Sequence, residues 1–116
     1  MKKNILIIGP TSEIAKEYIN EISDKFNIHS ISRKKNFNSL IVNNIILDQT
    51  KNLDEKKLIK LINKIKFLYV IFFASDQIAS PNVIRKIKNI KIFNALCVNS
   101  IFPIKLTYFL IEKKMI

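Results

Sequence analysis

The sequence is poor in glycine, cysteine and histidine, and each scarcity excludes a class of site. Its 116 residues contain one glycine, one cysteine and one histidine. Because Gly9 is the sole glycine, motifs that need two are excluded, among them the phosphate loop that ends in Gly-Lys-Ser/Thr. Cys97 has no second cysteine to pair with, which excludes an internal disulfide and indicates a reducing, cytoplasmic location. Together with His29 it supplies only two ligands, so we expect no zinc site within one chain.

Long apolar runs are missing as well. No stretch of about 18 residues is free of strongly polar groups, so we expect no membrane-spanning helix. The first residues lack the longer apolar region and the small-residue cleavage site of a signal peptide. Against these absences, 48% of the residues are hydrophobic and 25% are charged. This balance predicts one globular domain over residues 1–116 and excludes a disordered chain.

Acidic residues are scarce, and the resulting net charge of +11 is uneven. Residues 51–116 carry thirteen basic and four acidic side chains. One interpretation is a nucleic-acid-binding surface formed by the lysines of residues 56–66 and by Arg85, Lys86, Lys88 and Lys91. The other is A/T-rich codon usage, since Ile, Lys and Asn make up 55 residues and lysine outnumbers arginine 18 to 2. The scarcity of arginine and of aromatic residues within the basic runs favours codon usage.

Hydrophobic patterning predicts alternating strands and helices. A strand is expected over residues 4–8 and ends at Gly9. A helix of about four turns follows, with Thr11 or Ser12 as its N-cap. Its apolar stripe is Ile14, Ala15, Tyr18, Ile19, Ile22 and Phe26. Further strands are expected over residues 27–32, 45–47 and 67–74, the last at the sheet centre, with 36–43 as a loop or one helical turn. A second helix is expected after an N-cap at Asn52 or Asp54, with the apolar stripe Leu58, Leu61, Ile62 and Ile65. Two more are expected, one from Pro81 to Ile90 and one over residues 92–116 with a kink at Pro103. This alternation predicts an α/β fold with a parallel, Rossmann-like sheet, helices on both faces and the strand order 3-2-1-4.

The junction after the first strand has the features of an anion site. A strand that ends at Gly9 and passes directly into a helix presents backbone N–H groups at the helix N-terminus, where a phosphate is favoured. Thr11 and Ser12 add hydroxyl donors, and the small Ala15 lets the helix lie close to the strand. A plain turn between a strand and a helix has the same pattern, so both interpretations stay open at this point.

The segment Gly9-Pro10-Thr11-Ser12-Glu13-Ile14-Ala15 resembles the glycine-rich turn of the short-chain dehydrogenase/reductases, whose usual form is Gly-x-x-x-Gly-x-Gly. Glu13 and Ala15 stand at the second and third glycine positions, and Glu13 departs most because its charge would repel a pyrophosphate if it pointed inward. The resemblance spans almost the whole chain but only the N-terminal half of a typical member. It implies the cofactor-binding portion of a nicotinamide-dependent oxidoreductase, truncated before its catalytic half.

The resemblance also implies cofactor-binding residues along the chain. These are Gly9, Thr11, Ser12, Glu13 and Ile14 at the first turn, Ser32, Arg33 and Lys34 after the second strand, Leu47 and Asp48 around the adenine, and Ala74 and Ser75 beside the ribose. An arginine after the second strand accommodates a 2′-phosphate, so Arg33, assisted by Lys34 or Lys35, implies NADP(H) in preference to NAD(H). Asn99 matches the asparagine that kinks a helix and supports the family's proton relay. Each position also has a plain interpretation, as a basic loop, a turn aspartate or an ordinary helical asparagine.

The family's catalytic tyrosine, with a lysine four residues later, has no match here. The residues at that spacing are Ile22 after Tyr18, Phe73 after Tyr69 and Glu112 after Tyr108. We therefore expect no dehydrogenase activity from this polypeptide alone. We also expect the stripe Phe102, Leu106, Phe109 and Leu110 to pack against a second subunit or a missing C-terminal half. The alternatives are a non-catalytic nucleotide-binding or regulatory module of the same fold, and a small basic nucleic-acid-binding protein.

Overall fold

Strands and helices alternate along the chain, as the apolar pattern predicts. The computed structural model describes residues 2–36, 38–74 and 89–116. The strands are β1 (Lys3–Ile8), β2 (Phe26–Ser32), β3 (Ile41–Ile46) and β4 (Phe67–Phe72). The helices are α1 (Glu13–Ile22), α2 (Glu55–Ile62), α3 (Asn89–Leu96) and α4 (Phe102–Glu112), and a π-helical segment, Cys97–Ile101, joins α3 to α4. Most of the helix predicted from Pro81 lies outside the described residues.

The four strands form one parallel sheet in the order β3-β2-β1-β4, which confirms the predicted Rossmann-like α/β topology. β1 is fully buried from Ile5 to Ile8, because it has a strand on each side and helices over both faces. α1 packs on one face through Ile19 and Ile22. α2 and α4 pack on the other face through residues such as Leu58 and Leu106. We call the two sides of the sheet the α1 face and the α4 face.

Several element boundaries differ from those predicted, and at two of them a physical reason can be given. α1 has 10 residues and ends at Ile22, whereas Phe26 opens β2, pairs with Lys3 of β1 and packs on the α1 face. Phe26 follows Ile22 by four residues, so apolar spacing alone could not separate a further helical turn from a strand. β3 begins at Ile41, inside the stretch expected to be loop, because the β-branched residues there extend its pairing with β2.

Among the described strands, β4 lies at the edge of the sheet and not at its centre. A bulge between Phe67 and Val70 places both side chains on the α4 face and turns Tyr69 to the α1 face. The backbone N–H of Phe67 donates to the carbonyl oxygen of Met115 at 2.7 Å, and the Met115 side chain is buried on the α4 face. The chain that follows α4 therefore pairs with the beginning of this edge strand.

Pro103 alters the hydrogen bonding of the last helix without ending it. Proline has no N–H, and its ring crowds the carbonyl group four residues earlier. In the turn before it, Cys97–Ile101 is π-helical, and the backbone N–H of Phe102 donates to the carbonyl oxygen of Cys97, five residues back. The predicted irregularity at Pro103 is therefore a wider helical turn placed just before the proline.

The apolar side chains of the last helix divide between the core and the surface. Phe102, Leu106, Phe109 and Leu110 are buried against this chain's own sheet, so the prediction that they pack against a second subunit or a missing half is wrong. The exposed apolar residues are Ile90, Ile92, Phe93, Leu96, Ile101, Ile104, Tyr108 and Ile111. By length and composition alone the continuous helix Asn89–Glu112 could cross a membrane, although none was expected from the sequence. A core helix of a soluble protein passes the same test, and this helix packs on the sheet.

Candidate functional site

A cleft of about 500 Å³ opens at the carboxyl ends of the strands. Its walls come from the turn after β1, the loops after β2 and β3, the residues after β4, and α3 with the π-helical segment. Eight of the residues predicted from the sequence line it, namely Gly9, Thr11, Ser12, Ser32, Arg33, Lys34, Asp48 and Ala74. In open parallel sheets ligands bind in this crevice, where the connections leave toward opposite faces.

The turn after β1 has room only for glycine at its first position. Gly9 has a φ of +81°, which residues with side chains rarely adopt. A Cβ atom on Gly9 would lie 2.6 Å from the backbone nitrogen of Ala74 and 2.7 Å from its Cα. The N–H groups of Phe73 and Ala74 both donate to the carbonyl oxygen of Ile8, at 2.8 and 3.0 Å, which fixes this close approach. Gly9 therefore lets the ends of β1 and β4 meet at the cleft.

The helix α1 begins at the cleft with an open N-terminus. Ser12 is its N-cap, since Oγ of Ser12 accepts the backbone N–H of Ala15 at 3.1 Å. The N–H groups of Glu13 and Ile14 belong to the first turn and have no acceptor within the helix. Ala15 is fully buried, which lets α1 lie close to the sheet. The arrangement favours an anion in front of α1.

The side chains of Glu13 and Ile14 do not form part of the cleft lining. The Glu13 side chain is 92% exposed and pairs with Lys16 at 3.7 Å along the helix. Ile14 is also largely exposed. Because the Glu13 carboxylate faces solvent and Lys16, the residue that departs most from the family pattern does not bring its own charge into the cleft. Both residues reach the site through their backbone alone.

The loop after β2 brings three cationic side chains to one wall of the cleft. Arg33, Lys34 and Lys35 are exposed and line it together. Ser32, just before them, is buried, and its Oγ donates to the carbonyl oxygen of Lys34 at 2.5 Å. This hydrogen bond bends the chain directly after the strand. The adjoining guanidinium and ammonium groups attract a phosphate to this wall.

Asp48 brings a negative charge into the same cleft from the end of β3. Its Oδ1 accepts the hydroxyl of Thr50 at 2.6 Å and the backbone N–H of Thr50 at 2.9 Å. These two hydrogen bonds, followed by the charges of Lys51 and Arg33, lower the pKa of Asp48 below its ordinary value. Asp48 is therefore ionised at neutral pH and can accept a hydrogen bond from a ligand. Leu47, predicted beside it, is buried in the α4-face core.

The remaining predicted residues lie at the margin of the site or beyond it. Asn99 is exposed in the π-helical segment and is not among the lining residues of the described chain. The helix presents Asn94 and Val98 to the cleft instead. Ser75 lies outside the described residues, directly after Ala74.

Sequence reasoning missed Gln49, a buried amide in the cleft lining. Its Oε1 has no hydrogen-bond donor among the described residues. A buried acceptor without a donor is costly, and a donor group on a ligand would satisfy it. The available signal was its position directly after the strand-ending Asp48. Thr50, Phe73, Asn94 and Val98 also line the cleft and were not predicted as site residues.

No protein-family model matches this sequence, and no curated protein matches it. The chain is similar to the solved structure of a short chain dehydrogenase family protein from Francisella tularensis subsp. tularensis SCHU S4, at 21% identity and a TM-score of 0.79, covering 97% of this chain and 47% of that one. It is also similar to L-threonine dehydrogenase from Clostridium difficile, at 21% identity and a TM-score of 0.67, covering 97% and 34%. The chain thus spans about half the length of the first structure and about a third of the second. These likenesses establish the fold.

Proposed function

We propose that this chain binds NADP(H) as the cofactor-binding portion of a short-chain dehydrogenase/reductase. The observation that carries the proposal is the cleft, which joins the open N-terminus of α1, the cations after β2 and the carboxylate of Asp48. These groups follow the order of a dinucleotide-binding sheet, in which the first turn holds the pyrophosphate and the end of the second strand selects the ribose. The fold likeness to dehydrogenase structures supports the same conclusion.

The pyrophosphate is assigned to the turn between β1 and α1. Backbone N–H groups at the start of α1 and the hydroxyls of Thr11 and Ser12 supply the donors. Gly9 keeps this turn tight, since any side chain there would collide with Ala74. The Glu13 carboxylate is turned to solvent and lies outside the cleft lining, which is compatible with an anionic ligand at this turn.

The 2′-phosphate is assigned to the loop after β2. Arg33 offers a planar pair of donors, and Lys34 and Lys35 add two further positive charges. An acidic residue in this loop would favour the ribose 2′-hydroxyl of NAD(H), whereas an arginine accommodates the phosphate of NADP(H). The identity of this loop therefore supports a preference for NADP(H).

The adenosine is assigned to the far side of the cleft. One oxygen of Asp48 is held by Thr50, and the other can accept a hydrogen bond from the adenine amino group. Leu47 supports Asp48 from the core, and the small Ala74 leaves room for a ribose. Ser75, the next residue in the chain, is assigned to the ribose from the sequence alone. Asn99 is assigned only a supporting part, because Asn94 and Val98 form the helical wall.

A bound nicotinamide ring would supply hydride transfer to or from a carbonyl or alcohol. The residues of this chain hold and orient the cofactor. None of Tyr18, Tyr69 and Tyr108 has a lysine four residues later. We therefore propose that these 116 residues bind the cofactor without catalysing the transfer by themselves, in the cytoplasm, where a single cysteine stays reduced.

The test is an equilibrium titration of the purified chain with NADPH and with NADH, followed by cofactor fluorescence. We expect NADPH to bind at least about tenfold more tightly, because charge-assisted hydrogen bonds to the 2′-phosphate are worth about 1.5 to 3 kcal/mol. Arg33→Ala should remove most of this preference and change the affinity for NADH by less than about twofold.

Lys105→Ala is the matched control, since it also removes one positive charge but lies on α4, outside the cleft lining. It should leave both affinities unchanged. Equal affinity for the two cofactors in the unaltered chain would contradict the 2′-phosphate site. Binding of neither cofactor would contradict the proposed function as a whole.

A further inference from the structure

A group of amide and hydroxyl side chains links β2 to β3 beneath the basic loop. The Nδ2 group of Asn44 donates to Oγ of Ser30 at 2.8 Å and to Oγ of Ser32 at 2.9 Å. Its Oδ1 accepts the backbone N–H of Asn36 at 2.9 Å. We call Ser30, Ser32, Asn36 and Asn44 the Asn44 network. Asn44 is the member that bonds directly to each of the other three.

The network spans the segment that carries the cations of the cleft. At one end, the buried Ser32 accepts from Asn44 and donates to the carbonyl oxygen of Lys34. At the other end, the backbone of Asn36 donates to Asn44. Arg33, Lys34 and Lys35 lie between these two attachment points. Their backbone is therefore fixed from below by one side chain of the neighbouring strand.

The loop beyond Asn36 is ordered by the same kind of contact. Oδ1 of Asn36 accepts the backbone N–H of Asn38 at 2.8 Å, and Oδ1 of Asn38 accepts that of Leu40 at 3.0 Å. The backbone N–H of Ile41 then donates to the carbonyl oxygen of Asn38 at 3.1 Å, where β3 begins. Side-chain amides thus hold the connection between the two strands in place of a helix.

A bulge decides which of two neighbouring asparagines takes this role. The pairing of β2 with β3 shifts by one residue at Val42, so Asn44 lies opposite Ser30. Asn43 turns toward α2, where its Nδ2 donates to the carbonyl oxygen of Leu61 at 3.4 Å. The two asparagines are adjacent and chemically identical, yet only Asn44 contacts the network. This provides a control at the next position in the chain.

Because the hydroxyls of the Asn44 network are buried, each of them needs a hydrogen-bond partner within the protein. Ser30 is fully buried and Ser32 is 5% exposed, so their hydroxyls depend on protein partners. An apolar residue at position 44 would leave both hydroxyls and the N–H of Asn36 without this partner. The Asn44 network is thus a polar cluster within the sheet, and it adjoins the residues assigned to the 2′-phosphate.

We infer that Asn44 is a positioning residue for 2′-phosphate recognition, acting by holding the backbone of residues 32–36. The inference rests on the proposed NADP(H)-binding function. Long cationic side chains on a free loop lose conformational entropy when they bind a phosphate, and a fixed backbone reduces that loss. Asn44 itself is not among the residues that line the cleft, so it would act through the backbone that it holds.

The experiment compares Asn44→Ala with Asn43→Ala by titration with NADPH and with NADH. Asn44→Ala should lower the ratio of NADPH to NADH affinity by about fivefold or more and change the NADH affinity by less than about twofold. Asn43→Ala should leave the ratio unchanged. Amide hydrogen exchange is measured on the same samples, and the Asn36 N–H should exchange at least about tenfold faster in Asn44→Ala alone.

Ser30→Ala provides a milder second variant if Asn44→Ala does not fold, because it removes one bond to Asn44 and keeps the other two. It should shift the affinity ratio in the same direction by a smaller factor. An equal loss of affinity for both cofactors, or an unchanged ratio with unchanged Asn36 exchange, would overturn the inference while the proposed function stood. An unaltered chain that binds neither cofactor would overturn both, and the unaltered sample identifies that case.

Discussion

The two faces of the sheet differ in the residues that they bury and in the described helices that cover them. On the α4 face, two helices cover the larger apolar cluster, including Leu6, Ile31, Leu58, Leu106 and Phe109, with the buried His29 beside it. On the α1 face, α1 is the one helix of the described residues that covers a smaller buried cluster, and no helix follows β2 among residues 33–36 and 38–40. There the sheet carries the Asn44 network and half-buried aromatic residues in place of a second helix.

This contrast separates stability from binding. Free energy of folding comes mainly from apolar burial, which is concentrated on the α4 face. The polar α1 face buries less, but its hydrogen bonds fix the loop that brings Arg33 to the cleft. Substitutions on the α4 face should therefore lower stability, and substitutions in the Asn44 network should alter ligand preference.

The largest expected effect comes from matched truncations on the two faces. Phe109→Ala, on the α4 face, should lower the free energy of unfolding by about 3 to 5 kcal/mol, because it leaves a cavity beneath two helices. Phe26→Ala makes the same chemical change on the half-buried α1 face and should cost about half as much or less. Urea denaturation measures both. Equal losses would contradict the difference between the faces.

The next effect is at the point where the ends of β1 and β4 meet. Gly9→Ala combines a positive φ with a Cβ atom 2.6 Å from backbone, so stability should fall by about 2 to 4 kcal/mol. Adding Ala74→Gly should not restore it, because the backbone nitrogen and Cα of residue 74 remain in place. Thermal denaturation measures both variants. Full rescue by the second substitution would show that the collision is with the side chain alone.

A smaller effect is expected at the aromatic edge of the α1 face. The hydroxyls of Tyr18 and Tyr69 lie 3.1 Å apart, and burial, with this hydrogen bond and the neighbouring phenol, raises the pKa of Tyr18 to about 12. The folded state therefore holds the Tyr18 proton more tightly than the unfolded chain does. The folding stability that this contributes is present below pH 10 and is lost as pH rises toward 12. Tyr18→Phe should cost about 1 kcal/mol at neutral pH and flatten this alkaline loss. Tyr108→Phe, which alters an exposed tyrosine, should change neither in the same denaturation series.

The smallest expected effect is a loss of folding stability at acid pH that comes from one buried imidazole, that of His29. Nε2 of His29 is 2.9 Å from Oδ1 of Asn4, and Nδ1 is buried with no partner among the described residues. Burial lowers the pKa of His29, so the unfolded chain binds the proton more readily. The resulting stability is present above pH 6.5 and is lost as pH falls through the lower folded-state pKa. Denaturation from pH 7.5 to 5 should show this loss, and His29→Gln should reduce it. An identical pH profile in that variant would assign the loss to other groups.

The sequence predicted the fold well because its apolar periods are regular. The four strands follow from local patterns, and their order follows from right-handed crossovers; the structure confirms both. For each of the two helix caps the sequence offered two candidates, and the structure has Ser12 and Asp54. The pattern gave a wrong boundary where one residue fits two kinds of secondary structure. Phe26 continues the apolar spacing of α1 but lies in β2. The apolar run of β4 predicted a central strand, although the predicted strand order already puts β4 at an edge, where it lies among the described strands. A run of apolar residues does not reveal how many neighbours a strand has.

The site was less accessible to sequence reasoning than the fold. Arg33 and Asp48 were predicted from the family resemblance, and both line the cleft, where parallel strands bring their carboxyl ends together. Asn44 could not be found, because a bulge at Val42 decides which of two adjacent asparagines faces the network. Gln49 was missed because the buried state of its amide depends on packing between distant segments.

Thermal denaturation of the unaltered chain with NADPH or NADH tests cofactor binding by this cleft most directly. At about 100 times the dissociation constant for NADPH, we expect about 2.7 kcal/mol of added stability and a midpoint higher by roughly 10 °C, with a clearly smaller shift for the same concentration of NADH. A cooperative transition that neither cofactor moves would show that this cleft does not bind the dinucleotide.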